Sequence, residues 1–245
     1  MRMTRVHVDM PLAPGDVVAL PEQAAGHLVR VLRLADGDAC VLFNGDGHDH
    51  DARLLECGKR GARAEIIARR EIANESPLAI TLLQGIARGE KMDLILQKAT
   101  ELGVAAIVPV HSERSEVRLE GARAEKRLAH WRGVVVSACE QSGRARVPDV
   151  AAPLPLAQAV ARPGLPGSRF HLSPLAEAGI TALAMPDDGR LLVAVGPEGG
   201  WSPRDLQALE SAGSRGRRLG PRILRTETAG LAAIAALQLR LGDLG

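Results

Sequence analysis

Apolar positions in the first 72 residues come in short clusters separated by turn-forming residues. Val6–Val8, Val17–Leu20, Ala39–Phe43, Ala52–Glu56 and Ala62–Ile67 are strand-sized, and Gly, Pro, Asp and Asn gather at Pro11–Gly15, Asp36–Asp38, Asn44–Gly47 and Gly58–Gly61. One segment differs: Leu28, Val31 and Leu32 recur at helical spacing, which predicts a helix over Gln23–Leu34 that Asp36-Gly37 can end. Several short strands with one helix predict a small β-barrel over residues 1–72.

Past a linker at Asn74-Glu75-Ser76-Pro77 the rhythm changes. Leu78–Ile86 reads as a buried strand, and Glu90–Leu102 as a helix with Met92, Ile95, Leu96, Ala99 and Leu102 on one face. Gly103 is placed to cap that helix, and Val104–Val110 is the next strand. The unit is βαβ, and near-continuous apolar runs predict a parallel sheet. Glu120–Gln141 is a second helix with Leu128, Trp131, Val135 and Cys139 inward, and Arg169–Leu172 and Leu191–Val195 are further strands. Ser202 caps a helix with Pro203 in its first turn. Arg217–Leu219 is a short strand, and Thr226 caps a last helix over Glu227–Arg240. That helix carries little bulk at Ala229, Gly230, Ala232, Ala233, Ala235 and Ala236, which fits close packing on other backbone, including a twofold partner. An α/β domain over residues 73–245 follows.

Composition narrows the function. At 245 residues, 46% hydrophobic and 24% charged, the chain has ample core material, which excludes wholesale disorder. Its longest apolar runs, such as Ala229–Leu239, are too short to span a membrane, and Met1–Arg5 lacks the apolar stretch of a secretory signal; a cytoplasmic location is expected. Cys40, Cys57 and Cys139 are odd in number with no CxxC spacing, so they read as buried thiols. Net charge is only +2, with 27 Arg against 4 Lys. The Arg excess suits phosphate recognition but also follows from a base composition that favours Arg and Ala codons. The near-zero net charge means that any nucleic-acid surface must be a local patch. Only Phe43, Trp131, Phe170 and Trp201 are aromatic, which leaves little for an RNA-binding sheet that works by stacking bases.

Two loops carry candidate chemistry. Val195-Gly196-Pro197-Glu198-Gly199-Gly200 lies between a strand and a capped helix, a rigid bend whose bare backbone lets a ligand approach closely. It lacks the spacing of the GxGxxG dinucleotide fingerprint. Leu219-Gly220-Pro221-Arg222-Ile223-Leu224-Arg225-Thr226-Glu227 is a second Gly-Pro bend, with two Arg three positions apart before a helix start. Thr226 and Glu227 suit simple capping as well as chemistry. In the first domain, Arg30 and Arg33 are spaced to share one helix face, which suits either a solvated surface or, with Arg5, a grip on RNA phosphates. Asp46–Asp51, with His48 and His50, reads as a polar hairpin turn before a metal site.

With Arg88-Gly89-Glu90-Lys91-Met92 and Glu140-Gln141-Ser142-Gly143-Arg144 upstream, these two loops give the chain a specific resemblance. It resembles, end to end, the bacterial 16S ribosomal RNA uracil-N3 methyltransferases of the SPOUT, or trefoil-knot, superfamily. His27–Arg33, Ser112-Glu113-Arg114 and Leu239–Gly245 extend the match. The resemblance implies a PUA-like RNA-binding barrel, an α/β domain whose end is threaded into a trefoil knot, a homodimer, and S-adenosyl-L-methionine as cofactor with no metal. The cofactor loops it implies supply Leu172 and Ser173, then Val195, Gly196, Pro197, Gly199 and Gly200, then Leu219, Gly220, Ile223 and Leu224. The Leu172-Ser173-Pro174 loop departs from the His-Pro-Arg-like version of relatives.

Methyl transfer to uracil N3 needs alignment, removal of the N3 proton and a base drawn out of its pair. Arg225 or Arg88 can stabilise an anionic uracil; Glu198, Glu227 and Glu140 are the carboxylates available to take the proton. Arg5, Arg30, Arg33, Lys91, Arg144 and Arg222 are read as RNA contacts. The substrate implied is 16S rRNA or the small ribosomal subunit, with another RNA target, or a non-catalytic ribosome-assembly role, as alternatives.

Overall fold

The strand-sized segments near the start of the chain form one five-stranded sheet. In this computed structural model, which describes residues 3–58 and 61–245, they are β1 (Arg5–His7), β2 (Val17–Ala19), β3 (Ala39–Phe43), β4 (His48–Gly58) and β5 (Gly61–Glu71), with a short helix α1 (Glu22–Ala25) after β2. Sheet order is β1-β3-β4-β5-β2, antiparallel except for the β1–β3 pair. Leu28, Leu42, Leu54, Ala64 and Ile66 lie at the centre of its core. β4 begins at His48, so His48–Asp51 is strand and not the expected turn. Its polar residues are held across the ladder, where Asp49 and His50 face Arg70 and Arg69 and Asp51 pairs with Arg70 at 2.8 Å.

The expected helix over Gln23–Leu34 is α-helical only to Ala25. Gly26–Val31 widens into a π-turn in which Leu32 N–H donates to His27 C=O at 3.0 Å, and Arg33 takes φ +58°. Leu28 stays buried while Val31 and Leu32 face solvent. Arg30 and Arg33 remain exposed, but they do not share a regular helix face, because the backbone leaves the helix between them.

The chain divides into two compact units, residues 1–75 with 139–147 and residues 76–138 with 148–245. The inserted segment is fastened by two arginines that sequence reading assigned to RNA. Arg5 forms a two-pronged pair with Asp49 (2.6 and 3.2 Å), donates to the carbonyls of Cys139 (2.8 Å) and Arg144 (3.1 Å), and lies 4.5 Å from the centre of the Phe43 ring. Arg144 is itself buried and grips Glu75 at 2.5 and 3.0 Å, while Asn74 donates to Gly143 C=O. Neither guanidinium faces solvent, so neither is a phosphate grip; both hold the first unit together. Glu140 is likewise engaged there, accepting from the His7 amide at 3.0 Å.

The second unit holds β6 (Ala79–Gly85), α2 (Glu90–Glu101), β7 (Ala106–His111), α3 (Gly121–Ser142, whose last turn belongs to the first unit), β8 (Asp149–Val150), β9 (Leu154–Pro155), α4 (Leu156–Val160), β10 (Ser168–Leu172), β11 (Arg190–Val195), α5 (Pro203–Ser211), β12 (Arg215–Arg217) and α6 (Thr226–Leu241). All sheet pairs are parallel, in the order β12-β10-β11-β6-β7-β8, with β9 also on β7. Gly103, at φ +81°, closes α2, and Val104 N–H returns to Ala99 C=O. Ser202 and Asp205 form a reciprocal capping box on α5. β8, β9 and α4 are too short to show a periodicity, and sequence reading passes over them.

No helix among the described residues is long and apolar enough to cross a membrane. Cys40 and Cys139 are buried, whereas Cys57 is half-buried. Burial first of all pushes each thiol up to about 11, so all three stay protonated at neutral pH.

Candidate active site

In an open parallel sheet, ligands bind beyond the carboxyl ends of the strands, near the point where strand order reverses. Here β6 and β11 lie side by side, and the chain runs from β6 outward through β7 to β8 while β10 and β12 lie on the opposite side. The loops leaving β10, β11 and β12 surround a cavity of about 700 Å³. Leu172 and Ser173 come from the first, Val195, Gly196, Pro197, Glu198 and Gly200 from the second, and Leu219, Gly220, Arg222, Ile223, Leu224 and Arg225 from the third. Gly199 is not on the wall; its carbonyl accepts from Arg114 at 3.1 Å, and a Cβ there would come within 2.9 Å of the Arg114 side chain.

Close backbone packing sets the loop after β11. Gly85 ends β6 directly against it: a Cβ on Gly85 would lie 2.5 Å from the ring nitrogen and Cδ of Pro197. Gly196 meets the Gly200 backbone in the same way, at 3.2 Å. Gly85→Ala is therefore expected to lower stability by about 1–3 kcal/mol through a forced shift of the Pro197 loop. Urea unfolding should show this loss, whereas Gly133→Ala, on an exposed helical position with open space, should not be destabilising.

The third loop is locked by Thr226, which is the first residue of α6 and not its cap. Its hydroxyl donates to Gly196 C=O at 2.5 Å and accepts from Gln84 Nε2 at 3.0 Å. Gln84 is fully buried at the end of β6, and its amide also donates to Gly85 C=O. These bonds tie β6, the β11 loop and α6 into one rigid floor. Sequence reading missed Gln84 and Gly85. The one available signal was a polar glutamine inside the apolar run Leu78–Ile86, where an unpaired amide would be costly.

The cavity is cationic. Lys91, Arg114, Arg218, Arg222 and Arg225 line it, against Glu198 as the lining carboxylate. Arg225, Arg222 and Arg218 make no side-chain hydrogen bond or ion pair among the described residues. Arg114 and Arg218 were given no role from sequence, and neither was Trp201, which lines the wall and adds an aromatic residue to it. Arg88 points elsewhere, pairing with Glu116 at 2.8 Å in solvent; it is its backbone N–H that reaches the site, donating to Glu198 at 3.1 Å.

Lys91, read as an RNA contact, stands between two carboxylates, 3.4 Å from Glu198 Oε1 and 3.8 Å from Glu227 Oε2. Burial pushes the Glu198 carboxyl up, but the Arg88 amide, its own amide and Lys91 together outweigh it and hold the group below its ordinary value. Glu198 thus braces the loop as an anion. Glu227 sits in the first turn of α6 with its Oε2 buried and without a hydrogen-bond partner among the described residues.

Known proteins resemble the chain in sequence and fold. Residues 74–238 match the RNA methyltransferase domain family, and residues 20–67 the RNA methyltransferase PUA domain family. The chain is 34% identical to ribosomal RNA small subunit methyltransferase E of Buchnera aphidicola subsp. Schizaphis graminum, over 99% of this chain and 98% of that one. The enzyme of that name from Neisseria gonorrhoeae, solved bound to S-adenosyl methionine, superposes with a TM-score of 0.91 at 43% identity over the whole of both chains. A putative methyltransferase from Legionella pneumophila, solved with the same cofactor, gives 0.94 at 33% identity, again over both whole chains. With sequence, both domains and the loop-built cavity in agreement, the chain belongs to the ribosomal RNA small subunit methyltransferase E family.

Proposed function

We propose that this protein transfers a methyl group from S-adenosyl-L-methionine to N3 of a uridine in 16S ribosomal RNA. The observation that carries the reading is one cavity in which bare-backbone loops and a cluster of unpaired cations meet. About 700 Å³ falls within the range of small-molecule sites, roughly 300–1,000 Å³. The donor set fits the cofactor: Leu172, Val195, Leu219, Ile223 and Leu224 offer an apolar wall, and Gly196, Gly200 and Gly220 leave main-chain groups bare beside it. When bound, S-adenosyl-L-methionine supplies an electrophilic methyl on a sulfonium sulfur.

The chain's own residues do the rest. Arg225 stabilises the negative charge that spreads over the uracil ring as N3 loses its proton, a task suited to a cavity-lining cation without a competing anion. Trp201, Ile223 and Leu175 enclose the base that leaves its stack. Arg222 and Arg218 meet the neighbouring phosphates, and the exposed Arg30 and Arg33 of the first unit add further contacts.

The same reading includes a homodimer, which the exposed Leu239 (60%) on α6 supports, and which light scattering tests. It also includes the family's knotted chain end. The crossing from the edge strand β12 to the sheet centre, where Thr226 bonds Gly196, supports that. A cytosolic location follows from the substrate.

The test is incubation with labelled cofactor and small ribosomal subunits or 16S rRNA, followed by mass analysis of nucleosides. N3-methyluridine at one position is expected. Cofactor binding without that product points to another RNA target, and no cofactor binding by calorimetry to an assembly factor.

A further inference from the structure

Resting on the reading above, the geometry assigns a pair of residues to recognition of the base itself. An ammonium has three donors. One of those on Lys91 faces Glu198 Oε1 at 3.4 Å; Glu227 Oε2 lies at 3.8 Å, within reach of its charge but beyond hydrogen-bond distance. Lys91 therefore keeps donor capacity toward the cavity it lines, about a third of its side chain being exposed. Glu227 is the complementary case. Its side chain is 15% exposed, and its Oε2 is shielded from solvent without any hydrogen bond among the described residues. Glu227 is not itself on the cavity wall; it stands 3.8 Å behind Lys91, which is, and an acceptor left there without a hydrogen bond points to a donor that arrives with the ligand.

A neighbouring donor and acceptor form a code. The Watson–Crick edge of uracil presents a carbonyl oxygen at C4 next to N3–H, acceptor beside donor. Cytosine presents the reverse, an amino group beside a bare ring nitrogen. We propose that Lys91 donates to the uracil C4 oxygen while Glu227 accepts from N3–H, so that the pair selects uracil over cytosine. Facing cytosine, the ammonium would meet an amino group and the carboxylate a lone pair, leaving both protein groups unpaired in a site built to bond them. Glu198 has a separate part: with its Oε1 bound to the Arg88 amide, it positions Lys91 from the other side.

Alternative carboxylates fit less well. Glu140 is committed to the His7 amide in the first unit, and Glu116 pairs with Arg88 in solvent. Asp205 already accepts from the amides of Ser202 and Glu113.

The experiment compares 16S rRNA transcripts bearing uridine or cytidine at the methylated position. Binding is measured with the intact protein, and cofactor affinity separately by calorimetry. Wild-type protein is expected to prefer uridine by about a hundredfold, in keeping with loss of hydrogen bonds in a built site. Lys91→Met and Glu227→Gln should each cut that ratio below about tenfold. Lys91→Arg should retain most of it, and cofactor affinity should stay within about threefold in all three, since the pair is aimed at the base. An unchanged uridine-to-cytidine ratio in both Lys91→Met and Glu227→Gln overturns the assignment. So does a parallel loss of cofactor binding, which would place the pair on the cofactor. Should one variant fail to fold, the other decides by the same ratio. Wild-type protein that makes no N3-methyluridine overturns the reading of the preceding section instead, a result distinguishable from either.

Discussion

Arg225→Ala is expected to slow methyl transfer by about 10²–10³-fold while leaving thermal unfolding unchanged. The two halves of that expectation come from different observations. Its backbone is the N-cap of α6, in extended conformation, with its carbonyl accepting from Ala229 N–H at 2.8 Å; alanine can adopt the same shape. Its side chain makes no hydrogen bond or ion pair among the described residues, so truncation removes no structural interaction and should stay within about 0.5 kcal/mol. Yet the residue is aimed. Thr226, next in the chain, is clasped to Gly196 and Gln84, which fixes the point from which the guanidinium reaches into the cavity. A cation anchored at this point of the cavity contributes most when charge develops in the transition state. Turnover with labelled cofactor and small subunits, beside calorimetric cofactor affinity, is the measurement. Wild-type turnover in the variant would remove Arg225 from the chemistry.

Arg5→Ala should destabilise the first unit by about 3–5 kcal/mol, a large share of a typical domain's stability. The substitution strands Asp49, 6% exposed, without its two-pronged partner, and leaves the carbonyls of Cys139 and Arg144 without their donor. It also removes the cation from beside Phe43. Arg70, 3.9 Å from Asp49, offers partial relief, which favours the lower end of the range. The double variant Arg5→Met with Asp49→Asn should lose less than the two single losses combined, because it no longer buries an uncompensated charge. Urea unfolding of wild type, Arg5→Ala, the two single variants of the cycle and the double variant measures both. Additive losses would show that the two side chains act separately.

Local signals in this sequence were readable and distant ones were not. The parallel strands β6, β7 and β11 stand out because burial on both faces demands unbroken apolar runs. Gly103 and Ser202 were legible as helix ends because capping is decided within a few residues. The cavity loops showed themselves through glycine and proline. By contrast, His48–Asp51 looks like a turn until β5 brings Arg69 and Arg70 across from it. Arg5 looks like a phosphate grip until Cys139 and Arg144, more than 130 residues later, take its donors. Thr226 has the sequence of a cap, and only Gln84, 142 positions earlier, turns it into a clasp. Arginine in particular resists assignment, since one fork serves a buried carboxylate and an RNA phosphate equally well.

The insertion of residues 139–147 into the first unit bears on how the protein is made. Domains generally fold as units during synthesis, those nearest the amino terminus first. This unit is denied that order: when residue 75 has emerged from the ribosome, the carbonyls that Arg5 binds and the guanidinium that Glu75 binds have not yet been polymerised. All five strands of the opening sheet are present by then, but the contacts made by residues 139–147 are added only after β6, α2, β7 and most of α3 have been delivered. The first part of the second unit is thereby synthesised before the unit that precedes it in the chain has its last segment.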